Sequence, residues 1–272
     1  MDDLSIQPTK DLTGATSGQS SGDDALRQRM ARVIQEYLRL DQELKEAENT
    51  NFRVCIFGSA RIRRRDVTWQ KVFRLARSLA RSGIDVVTGG GPGLMEAANF
   101  GLREATKDAA GGHALGYGLP LDIPTLREPA NLHLDIKSAH QRFSTRLDEF
   151  MRLSHAVVVA PGGIGTLLEL MYVWQLVQIG LIQPRPIILL DADYWSGLLD
   201  WMGGVTLKRA LINPEDMNEV RLVSDWRDAL AILEAAQHDF LALRGPIPAL
   251  PVPEAKPNIS GQGSGAGTPT TA

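Results

Sequence analysis

The chain has 272 residues, a formal net charge of −3 at pH 7 and a sequence pI of about 6.0. Hydrophobic residues make up 43% and charged residues 22%, which is typical of globular proteins and excludes a fibrous or wholly disordered chain. The acidic balance argues against a general nucleic-acid or anionic-membrane binder, since such proteins use basic surfaces. The single cysteine, Cys55, excludes an internal disulfide and a cysteine-based zinc site.

The two ends of the chain are poor in apolar residues. Residues 1–24 are rich in Ser, Thr, Gly, Gln and Asp, and residues 246–272 in Pro, Gly, Ser, Thr and Ala, so we expect two disordered tails. The amino terminus is acidic and polar, unlike a secretory signal, and no run reaches the about 18 apolar residues of a membrane span. We therefore expect a cytoplasmic protein without a membrane partner.

The periodicity of apolar residues predicts the elements in chain order. A first amphipathic helix is predicted over 25–50, as an arm that packs on its own domain or forms an oligomer contact. From 51 to 245, apolar runs alternate with amphipathic stretches. Strands are predicted at 54–57, 85–88, 114–118, 132–136, 156–160, 186–190 and 219–223, and helices at 66–82, 93–108, 139–153, 165–180, 193–202 and 225–243. This alternation predicts one doubly wound α/β domain with a mostly parallel sheet.

Glycine-rich turns follow three of the predicted strands. They contain the candidate ligand-binding residues Gly58 and Ser59; Gly90, Gly91, Gly93, Met95 and Glu96; and Gly162, Gly163, Gly165 and Thr166. Each turn lets a ligand approach the backbone, and the helix that follows offers unpaired N–H groups and a positive dipole end. Because ligands of such sheets bind beyond the carboxyl ends of the strands, the three turns together predict a phosphate or nucleotide site. The alternative is that the glycines serve close packing alone.

The three turns match no standard nucleotide fingerprint. The third lacks the Gly-Lys-Ser/Thr ending of a P-loop, and the first lacks the spaced glycines of a dinucleotide turn. A mononucleotide therefore fits better than a dinucleotide or a magnesium-bound triphosphate. No His or Cys spacing predicts a metal site.

Charged residues lie close to the turns. Glu169 follows the third turn at the start of a helix, and Glu96 has the same placement after the second, so two carboxylates are predicted to face one crevice. The alternative is that they only complement the helix dipole. The helix predicted over 139–153 carries Arg142 and Arg146 on one face. On spacing alone the favoured interpretation of each arginine is a solvated surface residue.

One of these segments resembles a known family. The run from Pro161 to Glu169 has the full Pro-Gly-Gly-x-Gly-Thr-x-x-Glu pattern of the LOG (Lonely Guy) family, whose members are cytokinin riboside 5′-monophosphate phosphoribohydrolases formerly labelled lysine decarboxylases. The segments around Gly58 and from Gly89 to Asn99 are also similar to that family. The resemblance spans roughly 52–200, and the additional arm and tails are similar to the longer bacterial members, some of which act on AMP.

The resemblance implies a Rossmann-like fold and the hydrolysis of a purine nucleoside 5′-monophosphate to free base and ribose 5-phosphate, without metal or cofactor. It implies that Arg146 and Glu169 are the catalytic pair, that Glu128 contacts the substrate, and that a homodimer or higher homo-oligomer shares its active sites. The chain departs from the family at Leu147, where a Lys is usual, and at Gln175, where a Thr is usual. The missing Lys removes a cation near the substrate, which bears on the preferred base or phosphate.

Other functions remain open at this stage. A non-catalytic nucleotide-binding or carrier protein would use the same scaffold. Pyridoxal-phosphate decarboxylation would need a Schiff-base lysine, and Lys71, Lys107, Lys137 and Lys208 have no associated pattern. The basic run that contains Arg61, Arg63, Arg64 and Arg65 favours a solvated turn or a phosphate contact over polymer binding.

Overall fold

The structure is a computed structural model in which residues 26, 28–33, 51–107, 114–123 and 129–244 are described. Its centre is a seven-stranded sheet in which every strand pair is parallel. The strands are β1 (Arg53–Phe57), β2 (Asp85–Thr88), β3 (Gly116–Gly118), β4 (Ile136–Lys137), β5 (Ala156–Val159), β6 (Ile187–Leu190) and β7 (Val220–Val223), in the spatial order β4-β3-β2-β1-β5-β6-β7. The predicted doubly wound α/β fold is confirmed.

Helices cover both faces of the sheet. They are α1 (Val67–Arg81), α2 (Leu94–Lys107), α3 (Phe143–Leu153), α4 (Ile164–Gln178), α5 (Ala192–Trp201), α6 (Pro214–Asn218) and α7 (Trp226–Arg244), and a π-helix over Met202–Leu207 extends α5. Asp66 caps α1 by accepting a hydrogen bond from the amide of Thr68 (2.8 Å). Gly101 lets α1 and α2 pack closely, because a Cβ there would contact the carbonyl of Phe73.

The alternating side chains of each strand divide the core into two layers. In β1, Val54 and Ile56 pack toward the layer that contains α1, α2 and α7, whereas Cys55 and Phe57 pack toward α3, α4 and α5. All five residues of β1 are buried, as expected for the central strand of a parallel sheet covered on both faces. The sheet is therefore a rigid base for the turns at its carboxyl edge.

Two predicted elements are wrong in extent. Of the residues in the strand predicted at 132–136, only Ile136 lies in a strand. The amide of Asn131 donates to the carbonyl of Gly90 (2.8 Å), and this bond holds the chain before Ile136 as a loop. The helix predicted at 139–153 begins at Phe143, because His140 is still bonded to the carbonyl of Pro120 (2.9 Å). Arg142 is consequently an extended N-cap residue and shares no helical face with Arg146.

The ends of the chain are described only in part. Residue 26 and residues 28–33 of the predicted arm are helical and exposed. The rest of the arm predicted over 25–50 lies outside the described residues, as do the predicted tails at 1–24 and 246–272. Within the described ranges, no helix combines the length and the apolar character needed to cross a membrane.

Candidate active site

A cavity of about 550 Å³ opens at the carboxyl edge of the sheet. It lies where the strand order reverses, since β1 pairs with β2 on one side and with β5 on the other. Parallel α/β sheets bind ligands at this switch point. The turns after β1, β2 and β5 all contribute lining residues, so the three glycine-rich turns meet as predicted from the sequence.

The third turn leads into α4 and presents the amino end of that helix to the cavity. Gly163 is the N-cap and has no side-chain cap bond, and the first helical bond runs from the amide of Leu167 to the carbonyl of Gly163 (3.0 Å). The amides before Leu167 are thus available to an anion, with the positive end of the helix dipole behind them. Gly165 and Thr166 line the cavity beside Gly163. This arrangement, which we call the cradle, can bind an anion such as a phosphate.

The predicted catalytic pair meets at the cavity wall. Nη1 of Arg146, on α3, lies 3.7 Å from Oε1 of Glu169, on α4, and the two side chains are 11% and 14% exposed. Nε of Arg146 donates to the carbonyl of Leu119 (2.6 Å), and the guanidinium lies 5.1 Å from the centre of the Phe150 ring. The arginine is therefore held from three sides, and the carboxylate of Glu169 is fixed beside it in a partly dehydrated site.

The second turn shapes the space in which this arginine lies. A Cβ at Gly89 would contact Nη2 of Arg146 and, at 2.7 Å, the sulfur of Met95. Met95 and Gly89 both line the cavity. Beneath the turn, the hydroxyl of Thr88 accepts from the amide of Gly90 (3.0 Å), and Nδ2 of Asn131 donates to the carbonyl of Gly91 (3.0 Å). These bonds fix the turn that leaves room for Arg146.

The first turn is locked to the other two. The amide of Ser59 donates to the carbonyl of Pro161 (3.0 Å), and the amide of Leu94 donates to the carbonyl of Ser59 (3.0 Å). At Gly58 a Cβ would lie 2.8 Å from the side chain of Leu94, so this glycine allows the turn to close on α2. Both Gly58 and Ser59 line the cavity.

The structure separates the predicted site residues into three groups. Those that line the cavity are Gly58, Ser59, Met95, Arg146, Gly163, Gly165, Thr166 and Glu169. Those in the same turns that do not line it are Gly90, Gly91, Gly93, Glu96 and Gly162. Glu128 lies outside the described residues. Glu96 and Glu169 thus do not face one crevice, because Glu96 lies in a neighbouring groove and pairs with Arg64 at 3.6 Å.

Several cavity residues were not predicted. Gly89 is the first residue of a glycine run of which only the later residues were predicted to bind a ligand. The role of Gly89 depends on its contact with Arg146 on α3, which no local sequence pattern shows. Arg61 lies just beyond the first turn, and it was considered only as part of a basic run that forms a solvated turn or a phosphate contact. Leu121 and Phe143 come from separate loops, and Phe143 is 48% exposed, so nothing in their sequence marks them as site residues.

Other chemically active side chains lie away from the cavity. Cys55 is buried on β1, and burial, followed by the charge of Glu169, raises the pKa of its thiol well above the ordinary value, so it is no nucleophile at neutral pH. Of the lysines in the described ranges, none lines the cavity, and Lys71 pairs with Asp191 at 3.5 Å. No cluster of three or more His, Cys, Asp or Glu within those ranges could hold a metal ion.

Comparisons with known proteins show the family of this chain. The family model described as "Possible lysine decarboxylase" matches residues 95–233, a span that contains both Arg146 and Glu169. The chain resembles the probable cytokinin riboside 5′-monophosphate phosphoribohydrolase LOGL5 of Oryza sativa subsp. japonica. The two are 30% identical over 201 residues, which cover 71% of this chain and 76% of the rice protein.

A bacterial enzyme and a solved structure are also similar. The pyrimidine/purine nucleotide 5′-monophosphate nucleosidase of Escherichia coli K12 is 29% identical over 152 residues, which cover 53% of this chain but only 31% of that enzyme. The molybdenum cofactor binding protein of Rippkaea orientalis has the same fold, with a TM-score of 0.50 and 19% identity over 68% of this chain and 96% of that one. The family model spans half of the chain, and the chain therefore belongs to the LOG family, the one named for a possible lysine decarboxylase.

Proposed function

We propose that the protein hydrolyses the N-glycosidic bond of purine nucleoside 5′-monophosphates, AMP or a cytokinin riboside 5′-monophosphate, to the free base and ribose 5-phosphate. The observation that carries this proposal is the pairing of Arg146 with Glu169 at 3.7 Å, in a cavity that also receives the amino end of α4. The cavity of about 550 Å³ lies within the roughly 300–1,000 Å³ of small-ligand sites. The cavity thus combines an anion site at the amino end of α4 with the carboxylate of Glu169.

The bond breaks through a state in which positive charge develops at the anomeric carbon of the ribose. The carboxylate of Glu169 stabilises that charge and orients the ribose hydroxyls or the attacking water. The water adds its hydroxyl to the anomeric carbon, and its remaining proton neutralises the departing base. Arg146 holds the substrate and balances the charge on the leaving group.

The 5′-phosphate of the substrate positions the ribose and takes no part in the bond cleavage itself. The amides at Gly163, Gly165 and Thr166 bind the 5′-phosphate, so that binding energy remote from the broken bond fixes the ribose against Glu169. Ser59 and Arg61 also line the cavity, and Arg61 adds a positive charge there. A nucleoside without its phosphate is therefore expected to be a poor substrate.

The active form is a homodimer or higher homo-oligomer with shared sites. Helix α4 is mostly apolar, yet Ile164 and Leu168 on the helix and Ile179 at its C-cap are 88%, 46% and 55% exposed. An exposed apolar helix surface of this kind is normally covered by a partner. Because Leu168 precedes Glu169 on this helix, a second copy covering α4 would lie next to the cavity.

Two rival functions differ in observable ways. A Schiff-base decarboxylase needs a lysine in the cavity, and within the described ranges the cavity has none. A nucleotide carrier would bind AMP without turnover. The carboxylate of Glu169 beside the arginine favours the enzyme, since a carrier of phosphate has no need for a carboxylate at that place.

The test is a substrate panel with the purified chain. AMP, GMP, CMP, isopentenyl-AMP and adenosine are incubated separately, and the released base is measured by HPLC. We expect base release from the phosphorylated purines and little from adenosine, which lacks the phosphate. Thermal stabilisation by AMP without any released base would show a carrier, and equal rates on adenosine would remove the role given to the cradle.

A further inference from the structure

Four arginines lie within five residues at the start of α1. Arg61, Arg63, Arg64 and Arg65 are all exposed, in a chain whose net charge is negative. We call residues 61–65 the arginine loop. Arg61 faces the catalytic cavity, but the other three line a separate groove of about 410 Å³. The proposed function leaves this groove without a role.

The backbone of the loop is fixed before any ligand arrives. The amide of Asp66 donates to the carbonyl of Arg63 (2.9 Å), and Nε2 of Gln70 donates to the carbonyl of Arg64 (2.9 Å). At the base of the groove, Gly93 has a positive φ of 73°, and a Cβ there would contact Ser59 and Ala60 of the first turn. The groove is thus built on the reverse side of the turn that lines the catalytic cavity.

The central arginine is held in place by aromatic rings. The guanidinium carbon of Arg64 lies 4.5 Å from the centre of the Phe100 ring and 5.4 Å from that of Trp69, and Nη2 is 3.6 Å from Oε1 of Glu96. Arg64 thus covers the face that each ring turns toward it. The groove is therefore suited to recognise charge rather than an aromatic ligand.

The charges of the groove do not balance. Three guanidinium groups line the groove, those of Arg63, Arg64 and Arg65, against which Glu96 and the helix-capping Asp66 supply two carboxylates. Within the described ranges, no carboxylate lies within 4.0 Å of a side-chain nitrogen of Arg61, Arg63 or Arg65. Like charges this close repel one another, and an anion with two or more negative charges relieves that repulsion.

We propose that the arginine loop binds a diphosphate group at this groove, separately from the monophosphate cradle at α4. Guanidinium groups are planar and bind phosphate oxygens in pairs, so Arg63 and Arg65 together fit two linked phosphates better than one. The diphosphate is either inorganic pyrophosphate or the phosphate chain of a nucleotide. This site does not depend on the proposed hydrolysis.

The test measures binding of inorganic pyrophosphate to the full chain by isothermal titration calorimetry at constant ionic strength. The loop variant is Arg63→Ala with Arg65→Ala. The matched control is Lys208→Ala with Arg209→Ala, which removes the same charge from exposed positions outside both cavities. We expect the loop variant to bind pyrophosphate at least about tenfold more weakly, whereas the control retains the wild-type affinity.

Binding of ADP and of a single-stranded oligonucleotide is measured in the same way, to identify the source of the diphosphate. If ADP binds as tightly as pyrophosphate, and the loop variant loses affinity for both equally, then the groove recognises the phosphates alone. Much tighter ADP binding that is lost in the same variant assigns a nucleotide. Unchanged pyrophosphate affinity in the loop variant would overturn the proposal, as would tighter binding of a single-stranded oligonucleotide through the same arginines. Thermal unfolding verifies that both variants fold.

Discussion

Arg146 can lie beside Glu169 only because residue 89 has no side chain. Its guanidinium is fixed by the carbonyl of Leu119 on one side and by Phe150 on another, and a Cβ on Gly89 would contact its Nη2. The two catalytic candidates are on different helices, so their 3.7 Å separation depends on this local shape. A small displacement of the guanidinium would lengthen the distance on which the proposed chemistry depends.

Gly89→Ala is expected to lower kcat/KM for AMP by at least about tenfold, since the added methyl displaces Arg146 without removing its charge. The fold should persist, because no left-handed conformation is required at residue 89. Steady-state kinetics and thermal unfolding measure the two effects separately.

Gly197→Ala is the matched control. Gly197 lies in α5, and a Cβ there would meet no atom within 4 Å, so alanine is expected to leave the kinetics unchanged. In a helix interior it should also stabilise the fold by about 0.5–1 kcal/mol. Equal kinetics for both alanine variants would contradict the role given to Gly89.

At the scale of the elements, α3 and α4 are joined above the site. The hydroxyl of Tyr172, on α4, donates a hydrogen bond to Oδ1 of Asp148, on α3. This bond, followed by burial and the charge of Asp148, raises the pKa of Tyr172 to about 12. The bridge links the two helices that carry Arg146 and Glu169.

Asp148→Asn is expected to return the pKa of Tyr172 toward the ordinary value of about 10, because the amide no longer holds the phenol proton with a negative charge. A raised phenol pKa means that the folded state holds this proton more tightly than the unfolded state. The bridge thus stabilises the fold below pH 10.0 and loses that contribution as the pH rises toward about 12. Ultraviolet absorbance of the phenolate follows the titration.

Tyr172→Phe supplies the reference for that titration. It should remove the transition near pH 12 from the wild-type curve. If the same transition stays at its wild-type position in Asp148→Asn, then the carboxylate is not what raises the pKa.

The elements that could be predicted from the sequence are those whose pattern is local. Strands β1, β2, β5 and β6 were predicted to within a residue at each end, because buried parallel strands are continuous apolar runs. The start of α3 was predicted too early, because the amide of His140 donates to the carbonyl of Pro120, just after β3, and so is not helical. The π-helix Met202–Leu207 and the short α6 have too few residues to produce a period.

At the scale of the whole molecule, the sheet topology determines which turns meet. That the glycine turns converge could be predicted, since the carboxyl ends of parallel strands lie at one edge. The divergence of Glu96 from Glu169 could not, because it depends on how the arginine loop folds over α2. Gly89 and Phe143 likewise depend on packing between distant segments.

The proposed assembly of the whole molecule is a dimer in which a second copy covers α4. Leu168→Glu places a charge on the exposed apolar face of that helix, and we expect it to shift a dimer toward the monomer mass of 29.7 kDa. Size-exclusion chromatography with light scattering measures the mass. Leu211→Glu, at a residue 69% exposed and outside α4, should leave the dimer intact. A wild-type chain that is monomeric at all concentrations would contradict the proposed assembly.

The central claim is that the carboxylate of Glu169 acts on a ribose whose phosphate is bound at the amino end of α4. Its most direct test compares wild-type protein, Glu169→Gln and the exposed control Glu215→Gln for release of adenine from AMP, with AMP affinity measured in parallel. We expect Glu169→Gln to lose about 10²–10³ in rate while it retains most of its affinity for AMP, and the control to match wild type. Wild-type rates of adenine release by Glu169→Gln would contradict the claim.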